Sequence, residues 1–144
     1  MFDSLSKYSP RALAVLRIVA AGLFAEAGIQ LLFHFPAPAM PSPPEMATLL
    51  TVAGSLELVG GLLLAVGLLT RPVAFILSGE MAVGYWLVHA PISPFPTNNM
   101  GAAAILFCFL FLYLFVAGPG AWGLDAYLKG KPGWANELRP LRHA

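Results

Sequence analysis

The stretch "SLELVGGLLLAVGLLTRP", from Ser55 to Pro72, belongs to a segment, 47–69, that has the length and composition of a helix that crosses a membrane, with a glutamate close to the middle of that segment. Its last residues, Thr70-Arg71-Pro72, predict a tight turn into a second apolar segment. A carboxylate is costly to place in hydrocarbon, and intramembrane carboxylates face protein or water rather than lipid. The stretch therefore predicts a membrane-spanning hairpin, and the role of Glu57 within it becomes the central question about function.

The composition of the whole chain is that of an integral membrane protein embedded in a lipid bilayer. Its 144 residues, enough for one domain, are 58% hydrophobic and 10% charged, whereas soluble domains are about 25% charged. The mean hydropathy is +0.76. A net charge of +1 offers no electrostatic basis for binding nucleic acid. The single cysteine, Cys108, excludes an internal disulfide and the paired cysteines of membrane thiol–disulfide enzymes.

Four apolar segments predict an all-α membrane protein, a bundle of four transmembrane helices in one domain of residues 1–128. Each segment is close to the ~20 residues that span a ~30 Å hydrocarbon core, and a spanning segment must satisfy its own backbone hydrogen bonds. The first segment is expected to remain as a helix rather than to be cleaved as a signal peptide. The helices are expected at about 11–33, 47–69, 72–89 and 100–117, followed by a cytoplasmic tail, 129–144.

The basic residues predict that both termini face the cytoplasm. They occur before the first helix, in the turn after the second and in the tail, whereas the loops after the first and third helices contain neither Lys nor Arg. Loops rich in Lys and Arg remain on the cytoplasmic side of a membrane. The basic residues on which this topology rests are Lys7, Arg11, Arg71, Lys129, Lys131, Arg139 and Arg142.

Three glutamates are predicted to lie at a similar depth on three different helices. At 1.5 Å per residue, Glu26, Glu57 and Glu80 lie ~10, ~15 and ~13 Å from the outer ends of their helices. Glu57 belongs to a stripe of small residues at four-residue spacing, with Ala53, Gly61 and Ala65. Small residues let membrane helices approach closely, so Glu57 is expected to face protein.

Arg17 is the obvious counter-ion for these carboxylates, although it lies near the inner side of the first helix. Three carboxylates with at most one buried cation cannot all be ionised comfortably, so we expect a proton to be shared among them. Intramembrane ionisable residues are functional by default, yet a protonated glutamate that bonds across helices is also a packing device. Glu26, Glu57 and Glu80 are therefore candidate catalytic residues, with the packing interpretation left open.

Other polar and aromatic residues lie toward the outer ends of the helices. Gln30 continues from Glu26 at four-residue spacing and is a candidate for carrying protons or for bonding between helices. Tyr85, Trp86 and His89 end the third helix and suit either an interfacial belt or a wall that stacks on a planar ligand. With Arg17, these residues form the candidate ligand-binding set. Histidines at a membrane rim are usually solvated, and we predict no metal site.

The segments 57–72, 80–91 and 117–128, together with "FPTNN", resemble the DoxX family of small bacterial membrane proteins. The resemblance implies a four-helix protein of the bacterial inner membrane, and some members are linked to quinone-dependent oxidoreductase complexes. Where the family often has a histidine in the first helix this chain has Glu26, and the start of the fourth helix, Asn99-Met100-Gly101-Ala102, lacks the family's carboxylate. Any proton handling would therefore fall to the three glutamates.

Three functions are compatible with these features. The first is a quinone-interacting subunit of an oxidoreductase complex, because quinone reduction needs an apolar slot and groups that deliver protons. The chain has no flavin, haem or disulfide motif of its own, so the only expected cofactor is a bound quinone, and electrons would come from a soluble or peripheral redox partner. The second is a non-catalytic scaffold or small-molecule-binding module. The third is a proton-coupled carrier of a small solute, for which a homo-oligomer would supply enough helices.

Overall fold

The computed structural model describes residues 3–38 and 43–128, and every regular element in them is helical. The expectation of an all-helical protein is confirmed. The predicted tail, 129–144, lies outside the described residues. The five α-helices are α1 (Ser9–Phe33), α2 (Ala47–Val66), α3 (Thr70–Gly84), α4 (Ala102–Ala117) and the short α5 (Leu124–Leu128). Short 3₁₀-helices, Asp3–Tyr8 and Pro44–Met46, precede α1 and α2, and a π-helical segment, Tyr85–His89, continues α3.

Two helical segments, Leu5–Phe33 and Pro44–Val66, are long and apolar enough to cross a membrane. Helix α4 is a shorter apolar helix of 16 residues. Helix α3 has 15 residues and is extended by the five residues of the π-helical segment. Large apolar side chains cover the outward faces of the helices, as they do when the surrounding solvent is lipid.

The helices pack as two antiparallel pairs. Helix α1 contacts mainly α2, and α3 contacts mainly α4, whereas the contact between α2 and α3 is much less extensive. A core shared by all four helices joins the pairs. At its centre the Phe24 ring of α1 meets the Phe111 ring of α4 edge to face, with centroids 4.8 Å apart. The consequence for function is a loosely packed seam between α2 and α3.

Glycines explain the closeness of the α1–α2 pair. A Cβ atom placed on Gly28 would lie 2.5 Å from the Leu58 backbone nitrogen, and one on Gly61 would lie 2.8 Å from the Ala25 nitrogen. No side chain fits at either place, so the two backbones touch directly, as expected for small residues between membrane helices. The stripe predicted on α2 therefore faces α1 at Gly61.

The helix ends differ from the expected bounds at two points. Helix α2 ends at Val66 rather than at residue 69, because Gly67 adopts a left-handed conformation with φ of 70° and caps it. Thr70, expected in a turn, is the first residue of α3. The chain therefore reverses within Gly67–Leu69.

Candidate functional site

Glu57 and Glu80 are brought together between α2 and α3, where their carboxylates interact electrostatically. Glu57 is only 7% exposed, which confirms that it points into the protein. One oxygen of Glu57, Oε2, and both carboxylate oxygens of Glu80 are buried without a hydrogen-bond partner among the described residues. Buried polar atoms are nearly always paired, so three such oxygens in one place mark this carboxylate pair as unusual.

A groove of about 270 Å³ opens beside Glu80 on the outer surface of the seam between α2 and α3. Apart from Glu80 its walls are apolar. The lining residues are Leu49, Leu50, Val52, Ala53 and Leu56 of α2, with Ile76, Gly79, Glu80, Val83, Gly84, Leu87 and Val88 from α3 and its continuation. Since most of these side chains are exposed, the groove opens toward the surroundings of the bundle and not into an enclosed cavity.

Two glycines form the α3 wall of this groove. A Cβ atom on Gly79 or Gly84 would meet nothing within 4 Å. These glycines are therefore not required by contact with another helix, in contrast to Gly28 and Gly61. Their lack of side chains instead leaves open the space next to Glu80.

Glu26 does not join the carboxylate pair. It is exposed, and the buried residues of α1, such as Phe24, Ala25 and Gly28, lie on the other face of the helix. The expected layer of three carboxylates thus contains two that interact electrostatically and one that is exposed on the outer face of α1. Gln30 is also separate, since its Nε2 donates to the Pro36 carbonyl oxygen at 3.1 Å.

Gln30 lines a second cavity, of about 430 Å³, at the opposite end of the helices from the α2–α3 turn. His34, Pro38, Pro43 and Thr51 also contribute to its walls. Leu50 lines both this cavity and the groove.

The aromatic residues that follow α3 shape the loop to α4. Tyr85 packs against Gly101, where a Cβ atom would lie 2.6 Å from its ring. His89 Nδ1 is 2.9 Å from the carbonyl oxygen of Asn99, and the buried Asn99 side chain donates to the Ser93 carbonyl and accepts from the Gly101 amide. Trp86 is largely exposed. None of the three, Tyr85, Trp86 and His89, lines the groove.

Arg17 is fully buried and binds backbone carbonyls. Its guanidinium donates to Leu64 and Ala65 at the end of α2, and to Pro119 and Trp122 after α4. The last carbonyls of a helix have no partner within that helix, so an arginine satisfies them well. Arg17 therefore joins α1, α2 and the loop after α4, at the end of the bundle away from Glu80.

Two further charged residues complete this arrangement. Arg71 Nη1 donates to the Phe115 and Val116 carbonyls at the end of α4, each at 2.7 Å. Asp125 accepts hydrogen bonds from the Leu69 and Thr70 amides at the start of α3, at 2.7 and 2.8 Å. We call Arg17, Arg71 and Asp125, with the backbone groups they bind, the inner-end network.

The inner-end network was not foreseen from the sequence. Its acceptors are mostly backbone carbonyls, which every residue type carries, so the amino-acid sequence does not reveal them. The usable signal was geometric: the inner ends of α2 and α4 must each present unpaired carbonyls, and Arg17 and Arg71 lie at that level. Among the described residues, no group of three or more His, Cys, Asp or Glu is arranged to hold a metal ion.

Comparison with known proteins places the carboxylate pair and both arginines in a shared family region. The DoxX family model matches residues 12–90, more than half of the chain. An uncharacterized protein of Haemophilus influenzae is 42% identical over 127 residues, which cover 85% of this chain and 95% of that protein. No solved structure is significantly similar. The resemblance noted in the sequence is therefore confirmed: this chain belongs to the DoxX family of membrane proteins.

Proposed function

We propose that this protein is a quinone-interacting membrane subunit of an oxidoreductase complex, with the quinone ring in the α2–α3 groove beside Glu80. The observation that carries the proposal is that both Glu80 carboxylate oxygens are buried and unpaired among the described residues at the edge of an apolar groove. A binding site with convergent polar groups on apolar walls is the usual form of a small-molecule site. Its unpaired oxygens are available to a ligand's polar atoms.

The proposed setting is the inner membrane of a bacterium, with four spanning helices and both termini in the cytoplasm. The described structure supports this orientation, because the turn after α2 and the loop after α4 meet the start of α1 at one end, where Lys7, Arg11 and Arg71 lie. Basic residues near membrane helices favour the cytoplasmic side. The groove would then lie in the outer half of the bilayer.

The placement of the polar group within the groove favours a quinone over a phospholipid. Glu80 lies nine residues, or ~13 Å, before His89 at the outer end of the segment, which is close to the middle of a ~30 Å hydrocarbon core. A phospholipid keeps its charged headgroup at the surface, so its headgroup could not reach this depth. A quinone has an uncharged polar ring and an apolar tail, and both parts can lie within the hydrocarbon.

The chemistry expected of the pair is proton delivery. Reduction of a quinone to a quinol takes up two electrons and two protons, one proton at each ring oxygen, and no group in the described residues supplies the electrons. We assign the electrons to the redox centre of a partner protein. Glu80 lines the groove and would donate a proton directly to one ring oxygen, and Glu57 would return a proton to Glu80. The proton for the other ring oxygen would come, like the electrons, from the partner protein.

The site can be located with a quinone that carries a photoreactive azide, using the protein in lipid nanodiscs. We expect labelled peptides from 49–56 and 76–88. Gly79→Leu should abolish the labelling, because Gly79 lines the groove and a Cβ atom there meets nothing within 4 Å, so the larger side chain would occupy the groove. The matched control is Gly22→Leu, since Gly22 of α1 is equally open but lies outside the groove. Labelling that is spread over the chain, or that is unchanged in Gly79→Leu, would reject the groove as the site.

The role of the carboxylates is tested separately. In membranes that contain the native partner, Glu80→Gln should remove most quinone reduction while photolabelling persists, because the amide keeps the shape but cannot release a proton. Glu57→Gln should slow turnover less. If both variants turn over normally while Gly79→Leu still blocks labelling, the groove binds its ligand without using the pair, which is the binding-module alternative.

A further inference from the structure

The space on the inner side of the carboxylate pair is occupied by packed side chains. Leu77 lies three residues inward from Glu80 and is 1% exposed. It packs on Gly60, three residues inward from Glu57, where a Cβ atom would lie 2.8 Å from the nearest carbon of that leucine. The inner-end network lies beyond, and the positive charge of its buried Arg17 is the kind of barrier that excludes protons from a membrane pore. Packing and charge therefore both oppose access to the pair from the inner end.

The space on the outer side of the pair is open. Ala53 lies four residues outward from Glu57, and it lines the groove. Gly84 lies four residues outward from Glu80 and lines the groove as well. Residues four apart lie one turn from each other on the same face of a helix, so a small residue stands directly outward from each carboxylate. The pair is therefore accessible from the outer half of the bundle.

The second cavity described above, which we call the outer cavity, lies farther outward. Gln30, His34 and Thr51 give it polar walls. Gln30 donates one N–H to the Pro36 carbonyl and retains a second N–H and a carbonyl oxygen for other partners. A buried water molecule needs room and polar partners, and a cavity of about 430 Å³ with these walls supplies both.

Leu50 belongs to the walls of both the outer cavity and the groove. It precedes Glu57 by seven residues, which is two helical turns or ~10 Å, and so lies on the same face of α2. Ala53 lies between them along that face. Cavity walls formed by one face of α2 therefore extend from the outer cavity to a position one turn from Glu57.

We propose that the outer cavity is a water-filled vestibule from which Glu57 takes up protons, so that the carboxylate pair exchanges protons with the side of the membrane opposite to the inner-end network. A hydronium ion transfers its proton to Oε2 of Glu57, the oxygen without a partner among the described residues, and leaves as water. No electrons move in this step. The access of water is independent of any ligand, whereas the use of these protons in quinone reduction rests on the proposed function.

Water access is measured with cysteine variants of the full chain in sealed vesicles, with Cys108 replaced by alanine. A charged methanethiosulfonate reagent, which does not cross the membrane, is added to one side at a time. It reacts with the thiolate, so a cysteine must contact water to be modified. Leu69→Cys, in the exposed turn between α2 and α3, identifies the inner side whichever way the chain is inserted. We expect Thr51→Cys and Ala53→Cys to react from the opposite side only.

Two further variants serve as controls. Val59 is 58% exposed on α2 but does not line the groove, so the thiol of Val59→Cys contacts lipid. Ala53→Cys should react at least about tenfold faster than Val59→Cys, because a thiol in hydrocarbon does not ionise. Ala74 is fully buried on the inner side of Glu80, and Ala74→Cys should not react from either side. Reaction of Ala53→Cys no faster than that of Val59→Cys, or reaction of Ala53→Cys or Ala74→Cys from the inner side, would overturn the proposal.

Gln30→Leu, introduced into the Ala53→Cys chain, distinguishes the outer cavity from the mouth of the groove as the route of water. The apolar side chain removes polar partners from the cavity and leaves every groove residue unchanged, so the reaction at position 53 should slow severalfold. Gln30→Glu should restore the rate, because a carboxylate also binds water. An unchanged rate in Gln30→Leu would show that water arrives through the groove itself and would overturn the vestibule. No quinone is used, so this result and the photolabelling result can fail independently.

Discussion

The inner-end network and the carboxylate pair are two buried polar regions of one helical bundle, and they are built in opposite ways. In the network Arg17 donates to four backbone carbonyls, and each carboxylate oxygen of Asp125 accepts one backbone amide. In the pair, three carboxylate oxygens have no partner among the described residues. A satisfied buried network stabilises and specifies a fold, whereas unpaired buried atoms weaken it.

The difference suggests a structural role for the inner-end network and a different role for the carboxylate pair. Both arrangements consist of charged residues that hydropathy alone would count as defects in membrane helices. In the network, the hydrogen bonds that join the ends of four helices offset the free-energy cost of burying the charged groups. The pair receives no such compensation from the described part of the chain, which is the basis of the proposal that it meets a ligand.

Replacement of Arg17 should cause the largest loss of stability. In Arg17→Met four carbonyl groups lose their donor in a buried place, and the expected cost is about 3–5 kcal/mol, a large fraction of the stability of a typical domain. Unfolding in detergent, followed by circular dichroism, measures it. Arg17→Lys should be intermediate, because an ammonium group cannot reach carbonyls in four directions as the planar guanidinium does. If Arg17→Met were as stable as the natural protein, the network would not be needed to hold the helices together.

Asp125→Asn should have the next largest effect. The amide of asparagine keeps one acceptor oxygen, so one of the Leu69 and Thr70 amides at the start of α3 loses its partner. The favourable electrostatic interaction with Arg17 is lost as well. We expect a loss of about 1–2 kcal/mol, as for other helix caps. Asp125→Ala should cost more, and equal stability of the two variants would contradict the capping role.

Glu80→Gln should change stability by less than about 1 kcal/mol, because the carboxylate makes no hydrogen bond whose loss would be felt. The same detergent unfolding assay measures it, with Arg17→Met as the comparison. A loss as large as that of Arg17→Met would show that Glu80 is bonded within the protein and that the two regions do not differ as described.

Gly79→Ala should have the smallest effect and should stabilise slightly, by up to about 1 kcal/mol, because alanine favours helix and the new methyl group meets nothing within 4 Å. Its matched control is Gly61→Ala. There the methyl group would lie 2.8 Å from the Ala25 nitrogen, and the helices must separate. Similar melting temperatures for the two variants would contradict the distinction between groove glycines and contact glycines.

The sequence predicted the helices and the direction of Glu57 correctly, for physical reasons. Long apolar segments in a chain with few charges have no other way to satisfy their backbones in a membrane. On α2 the small residues at four-residue spacing identified the face that packs, and the burial of Glu57 agrees with it. The lengths of α2 and α3 were less predictable, because the positive φ of Gly67 and Leu69 moves the reversal of the chain.

The direction of Glu26 could not be predicted in the same way. Helix α1 is apolar around most of its circumference, since lipid and protein core both accept apolar side chains, and no periodicity marks its inward face. The depth of Glu26 along the helix axis could be counted from the sequence, but its direction around that axis could not. Arg17 was considered as a counter-ion of the carboxylates, despite its place near the inner side of α1, because a search for opposite charges overlooks backbone carbonyls as partners.

The carbonyls that Arg17 binds also bear on how the protein is made. Arg17 precedes all of its acceptors in the chain: Leu64 and Ala65 come 47 and 48 residues later, and Pro119 and Trp122 come 102 and 105 residues later. Until those segments are synthesised, α1 carries an unsatisfied guanidinium. During synthesis the Arg17 side chain therefore obtains its full set of acceptors only once the loop after α4 has been made.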